Sequence, residues 1–160
     1  IMSNATSQRN WLSLVCLIVV IFIGILVVPK QLQKRKAMNL HNKGVDYFNA
    51  DEFDKAIECF EQALKTFRFK DTEQHLAKAY KAKADMLRLQ KKIDEALELY
   101  LKAIELCDRA NISLKDLCAS IGEIYFYNKK DNQEAKKWFK RELEVNPDNQ
   151  IAKMALKLIK

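Results

Sequence analysis

Glycine, proline and histidine are scarce in this 160-residue chain, which has three glycines, two prolines and two histidines. Because glycine and proline punctuate turns and interrupt helices, their scarcity indicates helices joined by short turns. With so few glycines there is no glycine-rich loop that would cradle a phosphate. No cluster of side chains suggests a catalytic site. We therefore expect no enzyme activity, no cofactor and no metal.

Paired cysteines are also missing. The four cysteines are Cys16, Cys59, Cys107 and Cys118, and no two of them form a CxxC motif. Their spacing fits neither a zinc site nor a disulfide framework. The last three fall among apolar helical positions, where we expect small buried thiols in a compartment that keeps them reduced.

Acidic residues are absent before Asp46, although the formal net charge of the chain is +7. The early basic residues lie on either side of an apolar run rather than along one face of a folded domain. We therefore expect no nucleic-acid partner. These residues are Arg9, Lys30, Lys34, Arg35 and Lys36.

One apolar run, WLSLVCLIVVIFIGILVV from Trp11 to Val28, contains 18 residues and no charge. A helix of that length spans roughly 27 Å, close to the hydrocarbon thickness of a bilayer. A cleaved signal peptide would have a shorter run with a small-residue cleavage site, and a buried soluble helix would show a polar face. The run therefore predicts a transmembrane helix over residues 11–29 in contact with lipid, in which Gly24 permits close approach of another membrane helix.

The basic residues that follow this helix outnumber those before it, which predicts its orientation. Residues 1–10 would form a short tail outside the cytoplasm, residues 30–36 a basic juxtamembrane linker, and the rest of the chain a cytoplasmic domain. A periplasmic location of that domain is the alternative.

Three later segments align with one another, over about residues 37–70, 77–110 and 115–149. Each has a small residue, then a bulky one, in its first half, and an alanine followed by an aromatic in its second half. Small residues let two helices approach closely, and aromatics fill the space beside the crossing. The recurring positions are Gly44, Ala84 and Gly122; Tyr47, Leu87 and Tyr125; Ala56, Ala96 and Ala135; Phe60, Tyr100 and Phe139; and the small residues Ala63 and Ala103.

This pattern resembles the tetratricopeptide repeat (TPR), a helix–turn–helix unit of about 34 residues. The resemblance implies an all-α fold, with an α-solenoid of about three helix pairs over residues 37–147. The third segment departs from the family pattern with Glu142 at the small position, and only it has the closing proline, Pro147. The segments are also longer than the family unit, so residues 70–75 and 110–113 should extend helices or loops, with one further residue in the turn 129–132.

Residues 148–160 predict an amphipathic capping helix, since an array of repeats needs a polar end. We expect an apolar stripe to pack on the third repeat, with the lysines of the segment lying off it. A helix that binds a partner is the alternative. The stripe consists of Ile151, Met154, Ala155 and Leu158.

The resemblance also implies a concave groove lined by the first helix of each repeat. Its expected side chains include three aromatics and a basic middle, which together suit an amphipathic or acidic peptide; ordinary surface residues are the simpler interpretation. Some TPR proteins clamp the C-terminal carboxylate of chaperones, but we expect no such clamp because its positions carry unsuitable residues. The groove residues are Phe48, Lys78, Lys81, Arg88, Phe126 and Tyr127; the clamp positions carry His41, Val45, Ala82, Asp116 and Ser120.

The sequence thus predicts a membrane-anchored protein–protein interaction scaffold, an accessory or assembly subunit of a membrane complex whose partners are other protein subunits. A receptor or chaperone-like protein that captures transient peptides at a membrane surface is the alternative. An open groove with exposed apolar residues would favour the receptor.

Overall fold

The computed structural model describes residues 3–159, and over this range the chain is helical, with no β-strand. The predicted all-α fold is confirmed. Seven α-helices follow one another, and a π-helical turn, Ile124–Lys129, continues the fifth. The helices are α1 Ser3–Asn49, α2 Phe53–Thr66, α3 Lys70–Leu89, α4 Ile93–Ala110, α5 Leu117–Glu123, α6 Asn132–Val145 and α7 Gln150–Leu158.

The helices pack as consecutive pairs: the C-terminal part of α1 with α2, α3 with α4, and α5 with α6. Short turns join each pair, and α2 also packs on α3, which stacks the first pair on the second. The last helix, α7, packs on α6 and touches α5. This succession of helix pairs is the α-solenoid that the repeats predict.

Small residues bring the paired helices together. A Cβ atom added to Gly44 would lie 2.7 Å from the ring of Phe60, and one added to Gly122 would lie 2.8 Å from the ring of Phe139. The half-buried Tyr47 packs against the same core. The fully buried repeat positions, each 0 % exposed, are Ala56, Phe60, Ala63, Ala84, Ala96, Tyr100, Ala103, Ala135 and Phe139.

Tyr125 and Pro147 contribute less to packing than the fully buried repeat positions. Tyr125 is half-buried, and it lies between the main core and the smaller one around Phe139. Pro147 is exposed, in the turn between α6 and α7. The closing proline therefore shapes a turn and adds little to the packing of the third repeat.

The first helix, α1, differs from the expected arrangement because it does not end at Pro29. Residues 30–36, expected as a linker, belong to the same helix, which runs on into the first repeat. Proline removes one backbone hydrogen bond, but the residues that follow it are mostly lysine, glutamine, leucine and arginine, which favour helix. The apolar segment and the first repeat thus share one helix.

The extra residues of the longer repeats are absorbed by helices and one loop. Residues 70–75 form the first turns of α3, where Thr72 and Glu73 are buried. Residues 111–116 connect α4 to α5, and the additional residue of the third repeat enters the π-helical turn after Ile124. A π-helical turn accommodates one more residue than an α-helical turn would.

The capping helix α7 packs through a different face from the one expected. Ala152, Ala155 and Ile159 are buried against the third repeat, and Leu156 packs beside them. Of the predicted stripe only Ala155 is buried, while Ile151, Met154 and Leu158 are 47, 57 and 67 % exposed. Alanines on the packed face let α7 approach its neighbour closely, which the larger side chains would prevent.

Candidate protein-binding surface

The middle of the groove is an ion-pair network rather than a patch of unpaired positive charge. Lys81 Nζ donates to Asp85 Oδ2 at 2.9 Å, and Arg88 donates to Glu123 Oε2 at 2.5 Å. The second pair joins α3 of the second repeat to α5 of the third. Among the described residues, Lys78 is the predicted groove cation with no ion-pair partner. The groove therefore offers much less net positive charge than the sequence suggests.

Tyr100 completes this network from α4. Its hydroxyl donates to the other carboxylate oxygen of Asp85. Burial and then this hydrogen bond raise the pKa of Tyr100 well above its usual range, so the hydroxyl remains a donor. Asp85, the partner of Lys81, is thus held by the same residue that fills the repeat core.

The predicted aromatic side chains do not form one cluster. Phe48 is half-buried and its ring centroid lies 5.6 Å from that of Phe53, inside the first helix pair. Phe126 and Tyr127 pack on each other with centroids 4.8 Å apart in the third repeat. Tyr127 is 58 % exposed, whereas Phe126 is half-buried against the smaller core. The structure thus leaves Tyr127 as the accessible aromatic side chain of the three.

Of the clamp positions, His41 carries a packed side chain, whereas Asp116 is exposed. His41 Nδ1 lies 2.9 Å from Thr72 Oγ1, and its ring packs 5.6 Å from Phe60 and 5.1 Å from His75, measured between centroids. Burial, followed by the proximity of His75, lowers the pKa of His41, and Asp71 only partly opposes this. His41 therefore acts as a neutral, packed side chain at this position.

Glu142 has a structural role that the sequence analysis did not assign. Its side chain is 0 % exposed at the position where the first two repeats have alanine. Its carboxylate accepts hydrogen bonds from the backbone N–H of Asp116 at 2.8 Å, the backbone N–H of Ala119 at 3.3 Å, and Asn149 Nδ2 at 3.2 Å. The available signal was the departure from a small residue, although sequence alone does not locate the donors.

The buried thiols predicted by the sequence are confirmed: Cys59, Cys107 and Cys118 are buried and unpaired. Burial raises the pKa of the Cys107 thiol to about 11 and that of Cys118 to about 12. Thiols in this state are poor nucleophiles. Within residues 3–159, no three histidine, cysteine or acidic side chains converge as a metal site would require.

Comparison with protein families finds tetratricopeptide repeat models matching residues 35–109 and 116–149. These ranges cover the three helix pairs seen in the structure. No curated protein matches the chain.

Several solved structures are similar to this chain. The N-terminal domain of stress-induced protein-1 (STI-1) from C. elegans is 21 % identical with a TM-score of 0.51, covering 80 % of this chain and 98 % of that one. The Arabidopsis OM64 TPR domain is 18 % identical with a TM-score of 0.49, covering 80 % and 97 %. The first TPR of Spaghetti (RPAP3), bound to the HSP90 peptide SRMEEVD, is 29 % identical with a TM-score of 0.47, covering 79 % and 91 %.

Proposed function

Because the chain carries tetratricopeptide repeats, which are protein-binding modules, we propose that it is a membrane-anchored interaction scaffold. In this proposal it serves as an accessory or assembly subunit of a membrane protein complex. The observation that carries the proposal is the single helix α1, which joins an exposed apolar segment directly to the first repeat.

The apolar segment supports the anchor through its exposure. Leu17, Val20 and Phe22 are 59, 65 and 64 % exposed, and none of the most apolar window of α1 is buried against the described part of the chain. Exposed apolar area is unfavourable in water by roughly 25 cal/mol per Å², so a lipid or protein environment would stabilise this segment. The helix is long and apolar enough to cross a membrane.

Gly24 supports contact with another membrane helix. A Cβ atom added there would meet no atom of the described chain within 4 Å, so this glycine has no packing role inside the chain. Small residues at such positions let membrane helices approach closely. We propose that a transmembrane helix of another subunit packs against Gly24.

The Gly24→Leu variant tests this contact by purification in mild detergent followed by mass spectrometry. We expect the wild-type chain to retain one or more membrane proteins in fixed ratio and Gly24→Leu to lose them. Phe22→Leu, which changes the opposite side of the helix, is the matched control. If the wild-type chain retains no membrane protein, the scaffold proposal is wrong.

The orientation proposal places the repeats on the cytoplasmic side, since the cations that follow the apolar segment are exposed and near the proposed membrane exit. Protease treatment of intact, right-side-out membrane vesicles tests it. We expect the repeat domain to be protected until the membrane is permeabilised. Digestion in intact vesicles would instead support the periplasmic alternative.

Capture of transient peptides is a second candidate function, and exposed apolar side chains favour it. Tyr127 is 58 % exposed at a groove position, and Leu89, next to the groove residue Arg88, is 83 % exposed. A receptor would show weak, exchangeable binding, whereas a structural subunit would co-purify in fixed ratio. The two functions are therefore separated by the stability of the purified complex.

We also propose that this chain does not clamp chaperone carboxylates, since His41 is packed and Val45 has no donor for an anion. Fluorescence anisotropy with labelled SRMEEVD should show no saturable binding to the purified chain. A peptide with a C-terminal amide instead of the carboxylate is the control. Saturable binding that requires the free carboxylate would contradict this proposal.

A further inference from the structure

The capping helix α7 repeats the face pattern of α5 with an offset of 35 residues. Leu117 and Ile121 of α5, and Ile124 at the start of its π-helical continuation, are buried apolar side chains. The residues 35 positions later pack on the third repeat. The two helices therefore present corresponding faces in the same order. The packed counterparts are Ala152 and Leu156 of α7, and Ile159 directly after it.

This correspondence identifies two further faces of α7. The position of Gly122, which lies against its paired helix, becomes Lys157. The positions 35 residues after Asp116, Ala119 and Glu123 carry large apolar residues on α7. We call these three residues the α7 stripe; they are Ile151, Met154 and Leu158.

The α7 stripe does not correspond to the pairing face, by which the first helix of a repeat packs on the second helix. At the pairing position the three repeats have glycine or alanine, because the aromatic ring of the second helix lies directly against it. Lys157 is far too large for that contact, and Lys153 lies on the same side of α7. The pairing face is therefore polar, while a different face of the same helix is exposed and apolar.

The charges around the α7 stripe indicate which kind of partner would bind there. Residues 150–158 include two lysines and no acidic residue. Lys153 pairs at 3.5 Å with Asp148, whose side chain is 97 % exposed, so that pairing is weak in solvent. A partner with acidic residues beside its apolar ones would meet complementary charge.

A second copy of the chain is a poorer occupant than an acidic partner. Two α7 helices in contact would bring their lysines together, and like charges at an interface are unfavourable. The three side chains of the stripe also expose on the order of 300 Å², well below the roughly 800 Å² per partner of a stable interface. The size suits a short segment better than a self-associating surface.

We infer that the α7 stripe binds a short acidic amphipathic helix of another protein. Its spacing of i, i+3 and i+7 forms a ridge that packs beside the apolar row of such a helix. Glutamate or aspartate residues flanking that row would lie near Lys153 and Lys157. This inference rests on the proposed protein-binding function and adds the surface and the chemistry of one partner.

The test uses the full chain in nanodiscs of zwitterionic lipid and a designed helical peptide. The probe peptide has leucines at i, i+3 and i+7 flanked by glutamates, and a second peptide has lysines in place of the glutamates. Methionine methyl groups labelled with ¹³C report the location of binding. We expect the acidic peptide to shift the Met154 signal and to leave Met38 and Met86, which are 40 and 37 % exposed on other helices, unchanged.

Variants measure the contribution of the stripe by fluorescence anisotropy. We expect Met154→Gln and Leu158→Gln each to weaken binding of the acidic peptide about fivefold or more, since each removes apolar contact. Leu101→Gln is the matched control, because Leu101 is 38 % exposed on α4 and is not a groove residue. All three positions are exposed, so we expect the variants to melt at the wild-type temperature.

Three outcomes would overturn the inference. Equal affinity for the acidic and basic peptides would remove the role of charge. Shifts at Met38 or Met86 in place of Met154 would put binding elsewhere, and a dimer in sedimentation that Met154→Gln dissociates would make a second copy the occupant. Co-purification through Gly24 is a separate measurement, so failure at α7 leaves the scaffold proposal standing, and failure at Gly24 leaves the peptide result standing.

Discussion

The first two repeats and the third close the same helix–turn–helix unit with different chemistry. In the first two, Ala63 and Ala103 are fully buried and let apolar surfaces meet. In the third, Glu142 is equally buried and accepts hydrogen bonds from the start of α5 and from Asn149. A small apolar residue and a large anionic one therefore occupy equivalent places because their partners differ.

The difference follows from the elements that pack next to each position. The first two repeats share one continuous core that reaches into α5, so alanine only has to avoid a clash. After the third repeat comes the short helix α7. Asn149, directly before it, caps the helix by accepting a hydrogen bond from the backbone N–H of Ala152 at 2.9 Å. Glu142 joins this cap to the start of α5. At the end of the array, hydrogen bonds replace part of the apolar stacking.

The strongest test of this comparison is Ala103→Glu, which places the carboxylate of the third repeat in the second. Among apolar neighbours the charge would be unpaired, and we expect a loss of about 4 kcal/mol or more in the free energy of unfolding. Urea denaturation followed by circular dichroism measures it. Leu101→Glu, on the same helix but 38 % exposed, is the matched control and should change stability little. Equal stability of the two variants would refute the comparison.

The reverse change, Glu142→Ala, makes the third repeat resemble the first two. We expect a loss of about 3 kcal/mol, because the backbone N–H groups of Asp116 and Ala119 would lose their buried acceptor. Glu142→Gln, which keeps the volume and one carbonyl oxygen, should lose less. The same denaturation experiment measures both. A loss for Glu142→Ala below about 1 kcal/mol would show that the carboxylate only fills space.

The third test concerns the crossing that all repeats share. Gly122→Ala would place a methyl group against the buried ring of Phe139, and we expect a loss of about 1–3 kcal/mol. The opposite exchange, Ala84→Gly, should lose about 1 kcal/mol through helix propensity. Thermal unfolding of the two variants compares them. A Gly122→Ala variant as stable as the wild type would mean that Phe139 moves aside without loss.

The smallest expected effect is a pH dependence confined to the first two repeats. The pKa of His41 is lower in the folded chain than its usual value of 6.5, so the unfolded chain binds more protons just below that pH. Stability from neutral His41 is present above pH 6.5 and is lost as the pH falls below it. Melting temperatures at pH 7.5 and 5.5 should therefore differ less in His41→Asn than in the wild type.

An equal difference in wild type and His41→Asn would contradict the assignment of this titration to His41. His75→Asn serves as a second comparison, since the proximity of His75 is the lesser cause of the shift. We expect that variant to keep most of the wild-type pH dependence.

Much of the fold could be predicted from the sequence because the residues that pack each helix pair lie within one repeat. Gly44, Ala56 and Phe60 occur at spacings that recur in each repeat, and their burial follows from helix geometry alone. The number of helix pairs and the buried thiols follow from the same periodicity. A residue that meets partners only within its own repeat is the kind that a sequence pattern can place.

The surface was less accessible because its properties depend on contacts between repeats. Arg88 suggests positive charge until α5 places Glu123 beside it, whereas Lys81 pairs within its own helix with Asp85. In α7 the two possible stripes differ by a rotation of one residue, about 100°. Which of them faces the third repeat is decided by the fit of Ala152 and its neighbours, not by hydropathy.

Because α1 is continuous through residues 30–36, the number of residues in this stretch fixes the rotation of the first repeat about the helix axis relative to the apolar segment. One residue inserted there would turn everything beyond it by about 100° around the helix axis and raise it by about 1.5 Å. In a slack tether the same insertion would change neither. The number of residues between the apolar segment and the first repeat therefore sets the rotational orientation of the repeats relative to whatever surrounds the apolar segment.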